Sequence, residues 1–278
     1  MTLVVSPHIS CPLTDASAIT LSGLVIVHDE EHQLAECLAC LCFADEIVVL
    51  LDQCHDHSKE IAHSFTDRLI EGAWSLEGDR RNAGIAACRG QWIVEVDADE
   101  RVDPLLAQEI RAVISCTQYD VHTILVDNYI GSQLVRYGWG AYFGKAGYPG
   151  LFRKGAKVWG PQRVHPEITF HGIIGWNLHN RLQHYVDHNI SDMIHRLDRY
   201  SCARAQDLRN TDHEETFATN LRRFFSRFFK CYILRKGYRE GRYGFLLALF
   251  AGLYPLLSYL KATLEDGRSR HSYFAHWR

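Results

Sequence analysis

The sequence predicts an α/β fold built on a mostly parallel sheet, and two observations carry that expectation. Strand-length runs rich in Val and Ile alternate with stretches whose apolar residues recur every three or four positions, and each strand run ends in a polar cluster. The chain has 278 residues, 47% hydrophobic and 23% charged. That is enough for one substantial core and excludes disordered and collagen-like classes.

Residues 1–20, with Pro7 and Pro12 and no periodicity, read as an extension. Leu21–Val27 has the length of a buried strand, and residues 30–41 have helical spacing. Residues 46–51 form a second strand, closed by Asp52-Gln53-Cys54-His55-Asp56 before a helix over 58–65. Residues 92–96 form a further strand that ends at Asp97. Crossovers of this length are right-handed, and ligands in such sheets bind beyond the carboxyl ends of the strands. The polar groups at 28–31, 52–56 and 97–100 therefore share one rim. Residues 120–180, rich in Gly, Tyr, Trp and His with β-like pieces such as 121–126, are expected to wall the other side, and 188–210 to be helical.

Residues 217–236 interleave Phe224, Phe225, Phe228, Phe229 and Tyr232 with Arg222, Arg223, Arg227 and Lys230, the pattern of a basic amphipathic helix. The apolar run 245–260 follows, broken by Pro255. Its 16 residues fall short of the roughly 20 that cross a bilayer, so it is expected to lie in or on a membrane rather than span it.

The net charge of −3 divides into −12 over residues 1–216, with 18 basic and 30 acidic groups, and +9 over 217–278, with 12 basic and 3 acidic. A basic, aromatic tail suits an anionic surface, and no RNA- or DNA-binding motif accompanies it, so membrane head groups are expected and nucleic acid is not. Nine cysteines without paired spacings, and an opening without a signal peptide, imply reduced thiols in the cytoplasm. Cys37, Cys40 and Cys42 fall in a helical pattern with Leu34, Leu38 and Leu41 and read as small hydrophobes rather than a zinc site. The sixteen histidines are scattered, with no HExxH pair.

The most informative segment is Trp92-Ile93-Val94-Glu95-Val96-Asp97-Ala98-Asp99-Glu100. Residues two apart on an extended chain point the same way, so Asp97 and Asp99 present two carboxylates to one point just past the strand. Two hard oxygen donors suit Mg²⁺ or Mn²⁺, and a divalent ion there can bridge two phosphates. Two other readings compete. Residues 97–100 could cap the helix that Pro104 begins, or Asp97 could be a phosphatase nucleophile, although that motif normally ends the first strand of its domain.

Upstream, Arg80-Arg81-Asn82-Ala83-Gly84 places two guanidiniums at an expected helix start, where backbone N–H groups favour anions. Asp52 either accepts hydrogen bonds from a base or ribose or serves its own turn. Asp56 and Ser58 read as caps of the next helix, and His28-Asp29-Glu30-Glu31 as a cap box or the floor of a base pocket.

In ordered combination these pieces resemble the family 2 glycosyltransferases, especially the branch that builds lipopolysaccharide cores. The matching segments, spread over residues 21–265, are LSGLVIVHDEE, ADEIVVLLDQCHDHSKEIA, GDRRNAGIAACRGQWIVEVDADERVDP, PGLFRKG, RVHPE, HYVDHNISDMIHRLDRYS and FKCYILRKGYREGRYGFLLALFAGLYPLLSYLK. The resemblance implies a GT-A catalytic domain over 21–215 and a helical, membrane-associating extension over 216–278. It implies that Glu30 and Asp52 help bind the nucleotide, that Arg81 and Asn82 approach the diphosphate, and that Asp97 and Asp99 hold Mn²⁺ or Mg²⁺, with His165 completing the metal shell or orienting the base.

It also implies inversion at the anomeric carbon, which requires a carboxylate to take the acceptor proton. Glu167 in Arg163-Val164-His165-Pro166-Glu167 is the first choice for that base, with Asp127 and Asp187 as rivals. The sequence departs from the family pattern after the second strand: Leu51 occupies the usual acidic position, Asp52 lies one place later, and Gln53-Cys54-His55 lacks the usual small residues. The implied partners are a nucleotide-sugar donor, read as a UDP-hexose, a glycan or glycolipid acceptor, and the cytoplasmic face of an inner membrane. The alternative is a non-catalytic nucleotide-sugar or lipid-binding protein of the same fold.

Overall fold

The computed structural model describes residues 19–139, 144–162, 166–210 and 215–265. Two compact units are formed by the described parts of Met1–Leu125 with Gly147–Leu182, and of Val126–Ala146 with Gln183–Arg278.

The first unit opens with four parallel strands: β1 (Leu21–Val27), β2 (Glu46–Asp52), β3 (Leu69–Gly72) and β4 (Trp92–Asp97). They lie in the order β3-β2-β1-β4, which is the crossover arrangement that the alternation predicts. β1 and β2 are buried at every position, the mark of a parallel sheet covered on both faces. The helices between them are α1 (Leu34–Ala39), α2 (Ser58–His63) and α3 (Glu77–Ala87), followed by α4 (Pro104–Cys116).

The sheet then turns mixed. The remaining strands are β5 (Glu100–Arg101), β6 (Val121–Ile130), β7 (Gln133–Val135), β8 (Gly147–Arg153) and β11 (Ile174–Asp187), with β9 (Lys157–Trp159) and β10 (Ile168–Phe170) forming a separate antiparallel pair. β8 runs antiparallel to both β4 and β6, and the order continues β4-β8-β6-β11-β5. Leu24, Val48, Ile85, Ile93 and Phe152 close the core between α3 and the central strands.

Three local expectations are corrected. α1 begins at Leu34, after a turn in which Gln33 N and Leu34 N both bond to Glu30 O at 3.1 and 3.0 Å, and the N–H groups of Glu30 and Glu31 are held by Ser58 Oγ and Asp56 Oδ2, each at 2.9 Å. α3 begins at Glu77, so Arg80 is already inside the helix, its N–H bonded to Leu76 O at 3.2 Å. Its first turn carries Glu77 and Asp79, so neither arginine stands at an anion-favouring helix start. The helix that Pro104 begins is capped by Asp103, whose side chain accepts from Leu106 N at 2.8 Å, which relieves residues 97–100 of the capping role. Among the three clustered cysteines, Cys37 is buried but Cys40 is half-buried and Cys42 exposed.

The second unit is mainly helical: α5 (Ile190–Arg209), α6 (Phe217–Phe229) and α7 (Gly241–Leu264), with a π-helical turn at Lys230–Leu234 and a 3₁₀ turn at Gly237–Glu240. β7 pairs with the end of β6 within it. Ile130, Val135, Met193, Leu197, Leu247, Phe250 and Tyr254 form its core. The run 245–260 is neither broken nor short: α7 extends over 24 residues and passes through Pro255. Packing against α5 and α6 offsets the one backbone hydrogen bond that a proline forfeits. Among the described residues this is one helix long and apolar enough to cross a membrane, with a mean hydropathy of 1.6, but half of that apolar window is buried inside the protein.

The start of α3 lies hard against the exit of β9. A Cβ on Gly78 would fall 2.0 Å from the carbonyl oxygen of Gly160. Gly78→Ala is therefore expected to cost about 1–3 kcal/mol, read as a lower urea midpoint; an unchanged midpoint would contradict this close approach.

Candidate active site

The site is built on the last residues of β4. Strand alternation sends Ile93, Glu95 and Asp97 to one side and Trp92, Val94 and Val96 to the other. Glu95 is thereby placed in the interior, with a side chain only 1% exposed. One of its oxygens accepts from Lys157 Nζ at 2.7 Å and the other accepts from the Arg81 guanidinium. Lys157, fully buried on β9, also donates to Pro149 O at 3.0 Å and lies over the rings of Trp159 and Phe152.

Arg81 continues the chain of charges, donating to Glu77 at 2.9 Å and to Asp97 Oδ1 at 3.3 Å while its head lies over Trp159. Burial opposes every charge here. The facing Lys157 and Arg81 outweigh it at Glu95, whose carboxyl is held below its ordinary range; Asp97, Glu95 and Glu77 outweigh it at Arg81, which is held well above its own. Burial dominates at Lys157 and pulls it down, with Glu95 opposing.

Past the strand, in a turn, Ala98 is buried while Asp97 and Asp99 on either side of it are half-buried, with Asp99 Oδ1 itself out of contact with solvent. The turn is fixed from below. Asp97 N donates to Glu100 Oε2 at 2.9 Å, and the Tyr148 hydroxyl donates to both Glu95 O at 2.6 Å and Glu100 Oε2 at 3.1 Å. Arg101 holds the carbonyls of Ala98 and Glu100 at 2.8 and 2.9 Å. Burial raises the Tyr148 hydroxyl well above its ordinary pKa, with Glu100 and Asp97 adding to it, so it remains a donor.

On the neighbouring rim, Asp52 ends β2 nearly buried, with Oδ2 accepting from Arg80 at 2.9 Å and Oδ1 from Trp74 N at 3.1 Å. His28 Nδ1 lies 2.6 Å from Asp52 O. Asp52 thus braces Arg80 and the chain before α3. Asn82 is spent on Trp159, bonding its backbone O and N at 2.8 and 2.9 Å. Glu30 lies half-buried at the loop tied to Ser58. Asp29, Cys54 and Asp56 also come together there, but Asp29 accepts from His55 N and Asp56 from Ser58 N, so the cluster is knit into its own loop.

Glu167 is exposed just before β10, its N–H bonded to Gln162 Oε1 at 3.1 Å and its carbonyl to Gly160 N at 2.8 Å. His165 and Arg163 lie outside the described residues. The rivals Asp127 and Asp187 belong to the second unit, each held by an arginine: Arg136 at 2.9 Å and Arg196 at 2.6 Å.

The donor set fits a divalent cation. Asp97 and Asp99 offer hard oxygens at the strand end, and carboxylates from Glu77, Glu95, Asp97, Asp99 and Glu100 outnumber the cations Arg81, Lys157 and Arg101. Two buried donors, Arg80 Nε and Trp159 Nε1, have no acceptor among the described residues, which suits an anion beside the cation. Sequence reasoning singled out the paired aspartates but not Glu95, Lys157, Tyr148 or the pairing of Arg80 with Asp52. A glutamate inside an otherwise apolar strand was the available signal.

Paired charges at the carboxyl ends of parallel strands define an α/β protein with its site on one rim of the sheet. Residues 22–159 match the model of the family described as Glycosyl transferase family 2, and the chain belongs to that family. It is 23% identical over 266 residues to the lipopolysaccharide core biosynthesis glycosyltransferase LpsC of Rhizobium meliloti, covering 87% of this chain and 92% of that one. A TPR repeat-containing protein of Synechococcus elongatus is 31% identical over 112 residues, 40% of this chain and 28% of its own. Among solved structures, S. aureus TarS 1-349 in complex with UDP is similar at 14% identity and a TM-score of 0.47, covering 88% of this chain and 90% of that one.

Two measurements check the site's electrostatics. Lys157→Met should lower unfolding free energy by roughly 3–5 kcal/mol by removing one of the two cations that face the buried Glu95, and Lys157→Met/Glu95→Leu should recover part of that loss; equal losses in both would contradict a coupled pair. Burial pushes the Asp187 carboxyl up to about 6, with Arg196 opposing. A folded pKa above the unfolded value of about 3.9 means stability present at low pH is lost as pH rises through 6. Wild type should therefore lose about 2–3 kcal/mol relative to Asp187→Asn between pH 4 and 7 in urea titrations, and a flat difference would refute it.

Proposed function

We propose that the chain is an inverting glycosyltransferase that moves a hexose from a UDP-sugar donor to a lipopolysaccharide core or related envelope glycan, working peripherally at the cytoplasmic face of an inner membrane. The observation that carries this reading is the pair Asp97 and Asp99, half-buried around a buried Ala98 past β4 and released from helix capping by Asp103. Membership of family 2 and the likeness to LpsC support the reaction and the acceptor class.

Asp97 and Asp99, with His165, would hold Mn²⁺ or Mg²⁺, which when bound supplies charge neutralisation for the departing diphosphate. Arg81 positions Asp97 by holding one of its oxygens, and its own charge is fixed by Glu95 and Glu77. Asp52 and Glu30 contact the nucleotide, with Asp52 also bracing Arg80, whose buried Nε is a donor for an anion. Arg81 and Asn82 sit on the diphosphate side, and Asn82 secures Trp159 there. Glu167 takes the proton from the acceptor hydroxyl as its oxygen attacks the anomeric carbon, the glycosyl–oxygen bond to the diphosphate breaks, and configuration inverts.

Asp99→Ala should reduce sugar transfer by at least about a thousandfold while leaving the urea midpoint unchanged, and Glu167→Gln should lower kcat by about 10²–10⁴ with little effect on donor KM. Transfer at wild-type rate by Asp99→Ala would remove the mechanism. Transfer at wild-type rate by Glu167→Gln would move the base elsewhere. Donor binding by the wild type without transfer or hydrolysis across a panel of acceptors would favour a non-catalytic nucleotide-sugar-binding protein instead.

A further inference from the structure

α6 has two apolar faces, and among the described residues one of them is packed into its unit while the other is exposed. The inner face packs: Phe224 lies against Gly252, and Phe228 stacks on Tyr232 and meets Phe245 edge-on beside Cys231, Ala248 and Ala251. The outer face carries Leu221, Phe225 and Phe229 at successive intervals of four, which a helix lines up in a stripe. Their exposures are 36%, 63% and 54%, and Ile233 and Leu234 extend the exposed apolar surface along the following π-helical turn.

Cations flank this stripe. Arg222 and Lys230 are exposed beside it, and Lys236 and Arg239 are exposed on the turns beyond. The neighbouring acid Glu240 is engaged by the backbone N–H groups of Arg136 and Tyr137 at 2.8 and 2.9 Å. Exposed phenylalanines with exposed cations beside and beyond them match the anionic face of a lipid bilayer, where rings enter the acyl boundary and cations meet head groups. A second copy of the chain docked on this stripe would bring cations of one copy near cations of the other.

We propose that the outer face of α6, and not the long apolar α7, is the membrane contact, lying flat on anionic lipid. α7 is occupied elsewhere: its Leu247, Phe250 and Tyr254 are core to the second unit, and withdrawing them into a bilayer would open the packing around Met193 and Leu197. The proposal rests on the peripheral placement given above and stands or falls separately from sugar transfer.

Co-sedimentation of the full chain with phosphatidylcholine vesicles, with and without about one-third phosphatidylglycerol, tests it. Wild type should bind the anionic vesicles and not the neutral ones, and Phe225→Ser/Phe229→Ser should cut the bound fraction by about tenfold or more with an unchanged melting temperature and unchanged transfer to a soluble acceptor. Arg222→Gln/Lys230→Gln should weaken binding and flatten its salt dependence. Wild-type binding by the double Phe variant, equal binding to neutral vesicles, or a solution dimer that this variant dissociates in the absence of vesicle binding would each overturn it. Anionic-vesicle binding by a wild type that transfers no sugar would uphold the surface and remove the transfer reading.

Discussion

The arrangement depends on one buried charge. Glu95 sits inside a strand whose other residues up to Val96 are apolar, where an isolated carboxylate would be prohibitively costly. Lys157 from β9 and Arg81 from α3 answer it, so a single carboxylate draws a helix and a distant hairpin to the end of β4. The second bond of Arg81, to Asp97, then passes that order to the first residue of the acidic pair. Tyr148 repeats the device from β8, joining the carbonyl of Glu95 to the carboxylate of Glu100. The chemistry proposed for the pair needs carboxylates fixed before any ligand arrives, and this lattice of bonds holds Asp97 and the turn that carries Asp99.

Much of this was legible in the sequence where periodicity is strong. β1, β2 and β4 begin where their apolar runs begin, and the polar residues after them fall on one rim, because alternation and burial act within a few residues. The antiparallel half was not legible beyond the start of β6. β8 is broken by Pro149 and glycines, and β11 over Ile174–Asp187 is mostly half-buried with polar residues throughout, so neither shows an apolar period. α3 was misplaced by three residues because Leu76 offers no capping side chain to mark the start.

The site was read in outline and missed in its supports. D-x-D is visible because both residues share one local spacing, whereas Lys157 meets Glu95 across 62 positions, a separation that no local pattern reports. The helix over 245–260 was underestimated for a related reason. Its polar ends, Arg242 to Gly244 and Lys261 to Thr263, disguise a helix whose length is set by packing rather than by composition. Pro255 reads as a break in sequence, yet it lies buried in the second unit's interior, where neighbours hold the helix together.

Calorimetric titration with UDP in the presence of Mn²⁺ and again in EDTA, on wild type and on Asp97→Asn, tests the central claim most directly. The account predicts that Mn²⁺ tightens UDP binding to wild type by about tenfold or more and leaves Asp97→Asn nearly unaffected, since a cation gripped by the paired carboxylates couples the two ligands. UDP affinity that is the same with and without Mn²⁺ in the wild-type protein would contradict it.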